Sequence, residues 1–423
     1  MSGESPACNP SLPVNSTLLH DDQSDLDGAE RRQFQVRRNV RKRLDVYLQG
    51  RLRGISRSRV QKLVEAGGVT VNGLLPKAST IIHSGDYIDV ILPPPAIRII
   101  EPEPIPLSIL HEDDTFIVIN KQADLIVHPA RSNLNGTLVN ALAHHFKQAM
   151  EQSGKSWLPW QTRGFKRQRD KDNKVPGLSN IGAEELRPGI IHRLDKHTTG
   201  VMVVAKREDA HWGIARQFED RKVLKCYLAV VHGGPDDAAG VIDQPIGKHP
   251  TYREPYAVRH DRVGKPSVTI YRVRERYAGY TLMELELKTG RTHQIRVHLS
   301  YMGWPIVGDI FYGGEPVGHY ELDNPPAASG SRQYLNFARD KQQGDRVQAE
   351  AASRDDLIIA RPALHAGILG FVHPVTGKRM QFTAPVHEPL GLLLRELGKR
   401  RIEGPMAKNG THIDLDKITA QTT

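Results

Sequence analysis

The stretch His192-Arg193-Leu194-Asp195-Lys196-His197-Thr198-Thr199-Gly200 sets one carboxylate between two cationic residues, just ahead of the apolar run VMVVA. Burial alone would protonate such a carboxyl group, whereas flanking cations hold it ionised. Asp195 is therefore placed to act as a nucleophile or a base. On the residues alone, a structural salt bridge explains the loop equally well. A second stretch, Leu287 to Leu299 (LKTGRTHQIRVHL), offers a tight turn at Gly290, a helix start at Thr292 and cations at Arg291, Arg296 and His298. These could pair with Asp195 or with phosphate. A metal site is not expected. His293 and His298 are five apart rather than i,i+4, no Glu completes an HExxH pattern, and His144 and His145 are adjacent and point in different directions.

The elements that would carry these residues follow from the apolar pattern. Strands are expected at Phe116 to Ile119, Gly200 to Ala205, Tyr227 to Val231, Val268 to Val273 and Tyr280 to Leu287, with helices at Thr137 to Phe146, Ala210 to Phe218 and Thr292 to Met302. Strands dominate and neighbours are close enough for hairpins. The expected class is α+β with a largely antiparallel mixed sheet. Residues 148–186 and 320–358 are polar and break this rhythm, so they read as inserted loops within a domain spanning 96–400, followed by a tail at 401–423.

Ahead of that domain, residues 1–35 are polar and acidic and read as a disordered lead-in. Residues 36–95 read as a small α/β unit. Leu44, Leu48 and Leu52 recur at helical spacing with Tyr47 on the same side. Ser56 can cap a second helix with Val60, Leu63 and Val64 on its apolar face, ended by Gly67-Gly68. Val69 to Val71, the Asn72-Gly73 turn and Tyr87 to Leu92 read as strand, turn and strand, and Pro93-Pro94-Pro95 marks a linker.

The chain carries a formal charge of +10, from 58 Lys and Arg against 48 Asp and Glu. Its distribution matters more than its size: ten Lys or Arg lie between Arg37 and Lys62, opposed by Asp45 alone. A solvated face mixes signs, so this cluster points to a polyanionic partner. No apolar run approaches a membrane span. Glu4, Asp21, Asp22, Asp25, Asp27 and Glu30 precede any Lys or Arg except Arg31 onward, which excludes a secretory signal. Cys8 and Cys226 are the only cysteines, so a cytoplasmic setting is expected. DNA is not an expected partner, for no helix-turn-helix or finger spacing occurs.

Two resemblances sharpen this reading. RLDVYLQGRL, SRSRVQKLVEAGGVTVNG and SGDYIDVILP together resemble the α-L RNA-binding module first known from a small-subunit ribosomal protein. The likeness implies that Arg57, Arg59 and Lys62 contact folded RNA. HRLDKHTTG, KCYLAVV and LKTGRTHQIRVHL, with NKQADLIVHPA, GTLVNALAHHF, GWPIVGDIFYGG and LHAGILGFVHPVTGKRMQFTAP in the same order, resemble the RluA-type family of RNA pseudouridine synthases. That resemblance implies conversion of uridine to pseudouridine without a cofactor. It implies Asp195 as the catalytic residue, Tyr227 stacked on an extruded uracil, Arg296 paired with the catalytic carboxylate and Arg193 filling the gap left by the flipped nucleotide. Arg291 is expected to meet phosphate. His197 stands where an acidic residue is commoner and Thr199 where serine is usual, departures that bear on substrate preference. Together with the N-terminal module, the family resemblance implies large-subunit ribosomal RNA as substrate, and a monomer is expected. Transfer RNA is the alternative substrate, and a ribosome-assembly RNA-binding protein the alternative function.

Overall fold

The computed structural model describes residues 30–37, 41–52, 55, 57–92, 99–129, 134–154, 160–161, 177–179, 181–182, 186–252, 255–325 and 341–419. The chain divides into two compact units after Arg98. Among the described residues no helix is long and apolar enough to cross a membrane.

In the N-terminal unit, helices Leu44–Arg51 and Arg57–Glu65 pack on a three-stranded antiparallel sheet of Glu30–Gln35, Tyr87–Leu92 and Val69–Val71. Leu44, Leu48, Leu52, Val60, Val64, Val69, Ile88 and Val90 are buried together, so the helical and strand spacings do converge on one core. Asn72 and Gly73 both have positive φ, 52° and 80°, as a tight Asn-Gly turn requires. Ser56 and the triple proline lie outside the described residues. The disordered lead-in is corrected at its end: Glu30–Gln35 is a strand, held in full register against Tyr87–Leu92 and by the Arg31–Asp89 ion pair. Its stability comes from the backbone ladder and one cross-strand pair, which leave little apolar signature. Residues 1–29 lie outside the described residues.

The C-terminal unit is built on a nine-stranded sheet. Its order is Ala239–Asp243, Val268–Tyr277, Tyr280–Leu287, Leu224–His232, Leu364–Val372, Thr199–Ala205, Phe116–Lys121 and Ser108–Glu112, with Arg379–Thr383 also paired to Leu364–Val372. Every pairing is antiparallel except that of Thr199–Ala205 with Leu364–Val372. The α+β expectation holds. Phe116–Lys121, Thr199–Ala205 and Tyr280–Leu287 are buried along their whole length, so both faces of the middle of the sheet are covered.

Two expectations at the margins need correcting. The 320–358 segment is not simply a loop: it contains helix Lys341–Ala352 and strand Leu357–Ile359, with Ala351, Ile358 and Ile359 buried. The supposed tail is packed as far as Thr419, for Ile413 and Ile418 join the main core. Glu284 anchors it, accepting from the His412 amide (2.7 Å) and the Ile413 amide (3.1 Å). Of the 148–186 segment, helix Leu138–Gln152 fills the start, and most of the remainder lies outside the described residues.

Candidate active site

Asp195 sits in the loop that enters strand Thr199–Ala205, and the fold fixes that loop at several points. Gly200 pairs with Ala366 at φ +116°, and a Cβ there would meet the Ala366 carbonyl oxygen at 2.2 Å, so only glycine permits this approach. Upstream, His192 accepts from the Val203 amide (3.1 Å) and stacks on Phe218 with centroids 4.6 Å apart. Burial and then Lys225 push its imidazole down to about 3, so it is neutral and its Nε2 free to accept. Thr199 pairs its hydroxyl with His365 Nδ1 (2.8 Å), and His365 Nε2 donates to the Ala384 carbonyl (2.8 Å). His197 Nδ1 lies 2.7 Å from Asp124, so both departures from the family pattern have partners within the fold.

Beneath the loop lies Lys121, a lysine with no exposed surface. Its ammonium donates to the carbonyls of Gln122 (2.8 Å), Leu125 (3.0 Å) and Lys196 (3.1 Å). Three acceptors match three donors, which ties the residue after Asp195 to the turn that follows Phe116–Lys121. Burial draws this lysine down to about 7, opposed by the charges of Asp195 and Asp124. Lys121 was not among the residues singled out from the sequence; its one signal is a cation ending the apolar run FIVIN.

The second stretch delivers Arg296. Helix Gln294–Tyr301 starts two residues later than Thr292, because His293 occupies the left-handed region at φ 56°. Gln294 locks this turn, donating to the Val268 carbonyl and Thr269 and accepting from Thr289 and the Arg291 amide. Arg296 is buried and grips Asp309 through two 2.7 Å bonds, from Nε and from Nη2. Its remaining Nη1 reaches Asp195 Oδ2 at 3.4 Å. The Tyr312 ring lies under the guanidinium, 4.8 Å from its carbon. Asp309 thus aims Arg296, and its partnership was not visible in the sequence, where it stands inside an apolar run thirteen residues away.

His293 lies on the same side of Asp195 as Arg296. The Tyr312 hydroxyl accepts from the Tyr256 amide (2.9 Å) and pairs with His293 Nδ1 (2.7 Å). His293 Nε2 faces Asp195 Oδ2 at 3.8 Å. Burial first, and Arg296 next, lower His293 to about 4, which keeps it neutral at pH 7. Burial pushes the Asp195 carboxyl upward, but His293, Arg296 and Arg193 outweigh it and hold the group below its usual range. Near pH 7, with His293 neutral, the fixed positive charges facing the carboxylate are those of Arg296 and Arg193. The Asp195 side chain keeps 22% of its surface open, enough for a reacting group to approach.

Tyr227 lies at an irregularity of the sheet. Cys226 pairs with Ile368 but Tyr227 with Ala366, so the ladder skips a residue, and Ala366 is also the partner of Gly200 on the next strand. Burial first, then the Asp195 charge, push its phenol upward, so it keeps its proton at neutral pH. Arg193 is exposed on the loop, and Arg291 is half-buried with Nε 3.4 Å from the Pro266 carbonyl.

His298 is a correction. It is fully buried between Thr269 (2.9 Å) and the Gln244 carbonyl (3.0 Å), and burial lowers its pKa, so it brings no charge to the site. In the N-terminal unit, Arg57, Arg59 and Lys62 are exposed on one helix. Arg57 also donates to Asp45 (3.0 Å), a carboxylate with no exposed side-chain surface that Arg43 and Gln61 share. Arg57 therefore holds that unit together as well as charging its surface.

Among the described residues one group brings ligand types of a metal site within 4.8 Å of one another: Cys226, Glu284 and His412. Arg274 and the amides of His412 and Ile413 already occupy the Glu284 carboxylate, and burial pushes the Cys226 thiol upward. The group reads as the anchor of the C-terminal segment.

Residues 115–301 match the family described as RNA pseudouridylate synthase, and residues 42–88 match the S4 domain. The chain is 35% identical over 357 residues to the uncharacterized RNA pseudouridine synthase YlyB of Bacillus subtilis (strain 168), covering 84% of this chain and 94% of that one. It is 36% identical over 373 residues to the chloroplastic RNA pseudouridine synthase 2 of Oryza sativa subsp. japonica, covering 84% and 80%. It is 35% identical over 347 residues to the ribosomal large subunit pseudouridine synthase D of Pasteurella multocida (strain Pm70), covering 81% and 87%. With an ionised, accessible aspartate held under an arginine, and likeness of this extent along most of its length, the chain belongs to the RluA-type RNA pseudouridine synthases, isomerases that here carry an S4 RNA-binding domain.

Proposed function

We propose that this enzyme modifies large-subunit ribosomal RNA, acting as a monomer in the cytoplasm, with Asp195 as its catalytic residue. The observation that carries the residue assignment is the Asp195 carboxylate itself, kept ionised by Arg296 and open to an incoming group. The choice of RNA rests on relatives named for the ribosomal large subunit and on the basic S4 domain.

The reaction breaks the N1–C1′ bond of uridine, turns the uracil, and joins C5 to C1′. C5 gives up its proton and N1 takes one up, so no external oxidant or group donor enters. The uracil must first leave its stack, at a cost of about a few kcal/mol. Arg193, a planar cation exposed on the same loop, suits the gap left behind. Asp195 then acts on the base or the ribose, with Arg296 holding its charge and orientation.

Tyr227 offers a ring to the extruded uracil and a protonated hydroxyl within reach of the Asp195 field. Tyr227→Phe keeps the ring. We expect RNA affinity to stay unchanged and the single-turnover rate to fall about 10²-fold, the usual scale for losing a proton-transfer group. An undiminished rate would reduce Tyr227 to a platform.

The S4 domain adds a sequence-independent anchor. Phosphate contacts make affinity fall steeply with salt. Removal of residues 1–98 is expected to weaken binding to ribosomal RNA and flatten its salt dependence, while activity on a short hairpin survives better. Paired salt titrations of the full and shortened chains measure this, and equal slopes would show the basic cluster to be a solvated face. The substrate itself is tested by deleting the gene and mapping pseudouridines by carbodiimide-dependent reverse-transcription stops. Loss of a large-subunit position is the expected result. Loss confined to transfer RNA would overturn it.

A further inference from the structure

Behind the catalytic arginine lies a cavity of about 220 Å³ that Asp195, Tyr227 and Arg296 do not line. It is bounded by the hairpin of Ile246–Lys248 and Tyr256–Val258 and by helix Gln294–Tyr301, with Tyr312 as the wall shared with the active site. Three tyrosines, Tyr256, Tyr301 and Tyr312, border it, with His249 and Ser300 supplying polar groups. His249 Nδ1 accepts from the amides of Thr251 (3.2 Å) and Tyr252 (3.0 Å), which places the ring proton on Nε2 and leaves that group to donate. Arg259, also on the wall, has its guanidinium engaged by Asp261 and the Lys248 carbonyl, and Pro250, Ala257, Val258 and Val297 complete the described lining, which is aromatic and apolar with a few hydrogen-bonding groups.

This lining suits a flat, neutral heterocycle with carbonyl acceptors better than it suits a phosphate. The volume is below the roughly 300–1,000 Å³ of pockets for drug-sized ligands, which fits one ring system and not a whole nucleotide. We infer that the cavity receives a second unstacked nucleobase of the substrate RNA, close in sequence to the target uridine, and that Tyr312 reports its occupancy to the catalytic site. The connection is short: the Tyr312 ring supports the Arg296 guanidinium, and its hydroxyl bonds His293 and the Tyr256 amide. The subsite would make reaction depend on a nucleotide that is not itself modified. The inference rests on the RNA-modifying activity proposed above.

The test uses the full-length protein and a stem–loop RNA carrying the mapped uridine. Each of the three nucleotides on either side is replaced in turn by an abasic residue, and single-turnover rates are compared. The wild-type protein is expected to lose about ten-fold at one of these positions, the scale of one base–aromatic stack. Ala257→Phe, which fills the cavity from the hairpin, is expected to lose about as much on the intact RNA and then to be indifferent to that abasic position. Tyr301→Ala, which removes a wall instead, is expected to show the same indifference, so misfolding of one variant does not decide the matter. Non-additivity of this kind identifies groups that act on each other. Losses that multiply, or variants as fast as wild type on intact RNA, overturn the subsite while leaving the enzyme assignment standing. Absence of product from the wild-type protein on every RNA overturns both.

Discussion

Asp195→Asn is expected to abolish turnover while leaving the fold and most of the RNA affinity in place. The substitution keeps the size of the side chain but removes the charge, and loss of an enzyme's nucleophile or base costs about 10⁴-fold or more in rate. The structure explains why the fold should tolerate it. Arg296 does not depend on Asp195, since Asp309 holds it by two bonds of 2.7 Å, and the longer 3.4 Å contact is the one that is altered. The loop backbone is fixed independently by Lys121, by His192 and by the close approach of Gly200 to Ala366. Thermal denaturation and RNA binding of Asp195→Asn should therefore match wild type closely. A verified preparation with appreciable turnover would contradict the assignment.

Arg296→Ala should be nearly as damaging to the rate, and should cost stability too. Asp309 is fully buried, and stripping one partner from a buried ion pair typically costs about 3–5 kcal/mol. The rate should fall about 10²–10³-fold, the scale of losing a preorganised electrostatic group. The pH dependence has a definite sign. Asp195 is held below its usual range in part by Arg296, so removing the arginine raises its pKa and moves the acid limb of the activity profile to higher pH. The double variant Arg296→Met, Asp309→Asn separates the two effects: it removes the buried charges together, so stability should recover while activity does not. An Arg296→Ala enzyme with the wild-type rate and pH profile would show that the two residues are not partners.

Much of this arrangement could be read from local pattern. The loop around Asp195 and the strand after it share one short stretch, as do the Gly290 turn and Arg296, and the central strands are apolar along their length. What was missed depends on partners remote in sequence. Lys121 is explained only by the carbonyl of Lys196, seventy-five residues on. Asp309 looks like an interruption in an apolar run until Arg296 is seen to close on it. His298 looks cationic until burial between Thr269 and Gln244 makes it neutral. Helix Gln294–Tyr301 begins later than Thr292 because His293 takes a left-handed conformation that favours glycine, at a cost of about 1–3 kcal/mol, a backbone geometry with no signature in the sequence. Glu30–Gln35 and the segment up to Thr419 look loose in the sequence because most of their own residues are polar. The first pairs with a strand more than fifty residues away, and the second is captured by the buried Glu284.

The most direct test of the central claim follows the proton that the reaction must release. Joining C5 of the uracil to the ribose expels the hydrogen on C5, so RNA transcribed with uridine tritiated at C5 reports each turnover as tritium in water. With in vitro transcribed large-subunit ribosomal RNA, the wild-type protein should release tritium in whole-number proportion to RNA, without added metal or cofactor, and Asp195→Asn should release none. Release by Asp195→Asn at the wild-type rate, or none by the wild-type protein from any RNA, would contradict the account.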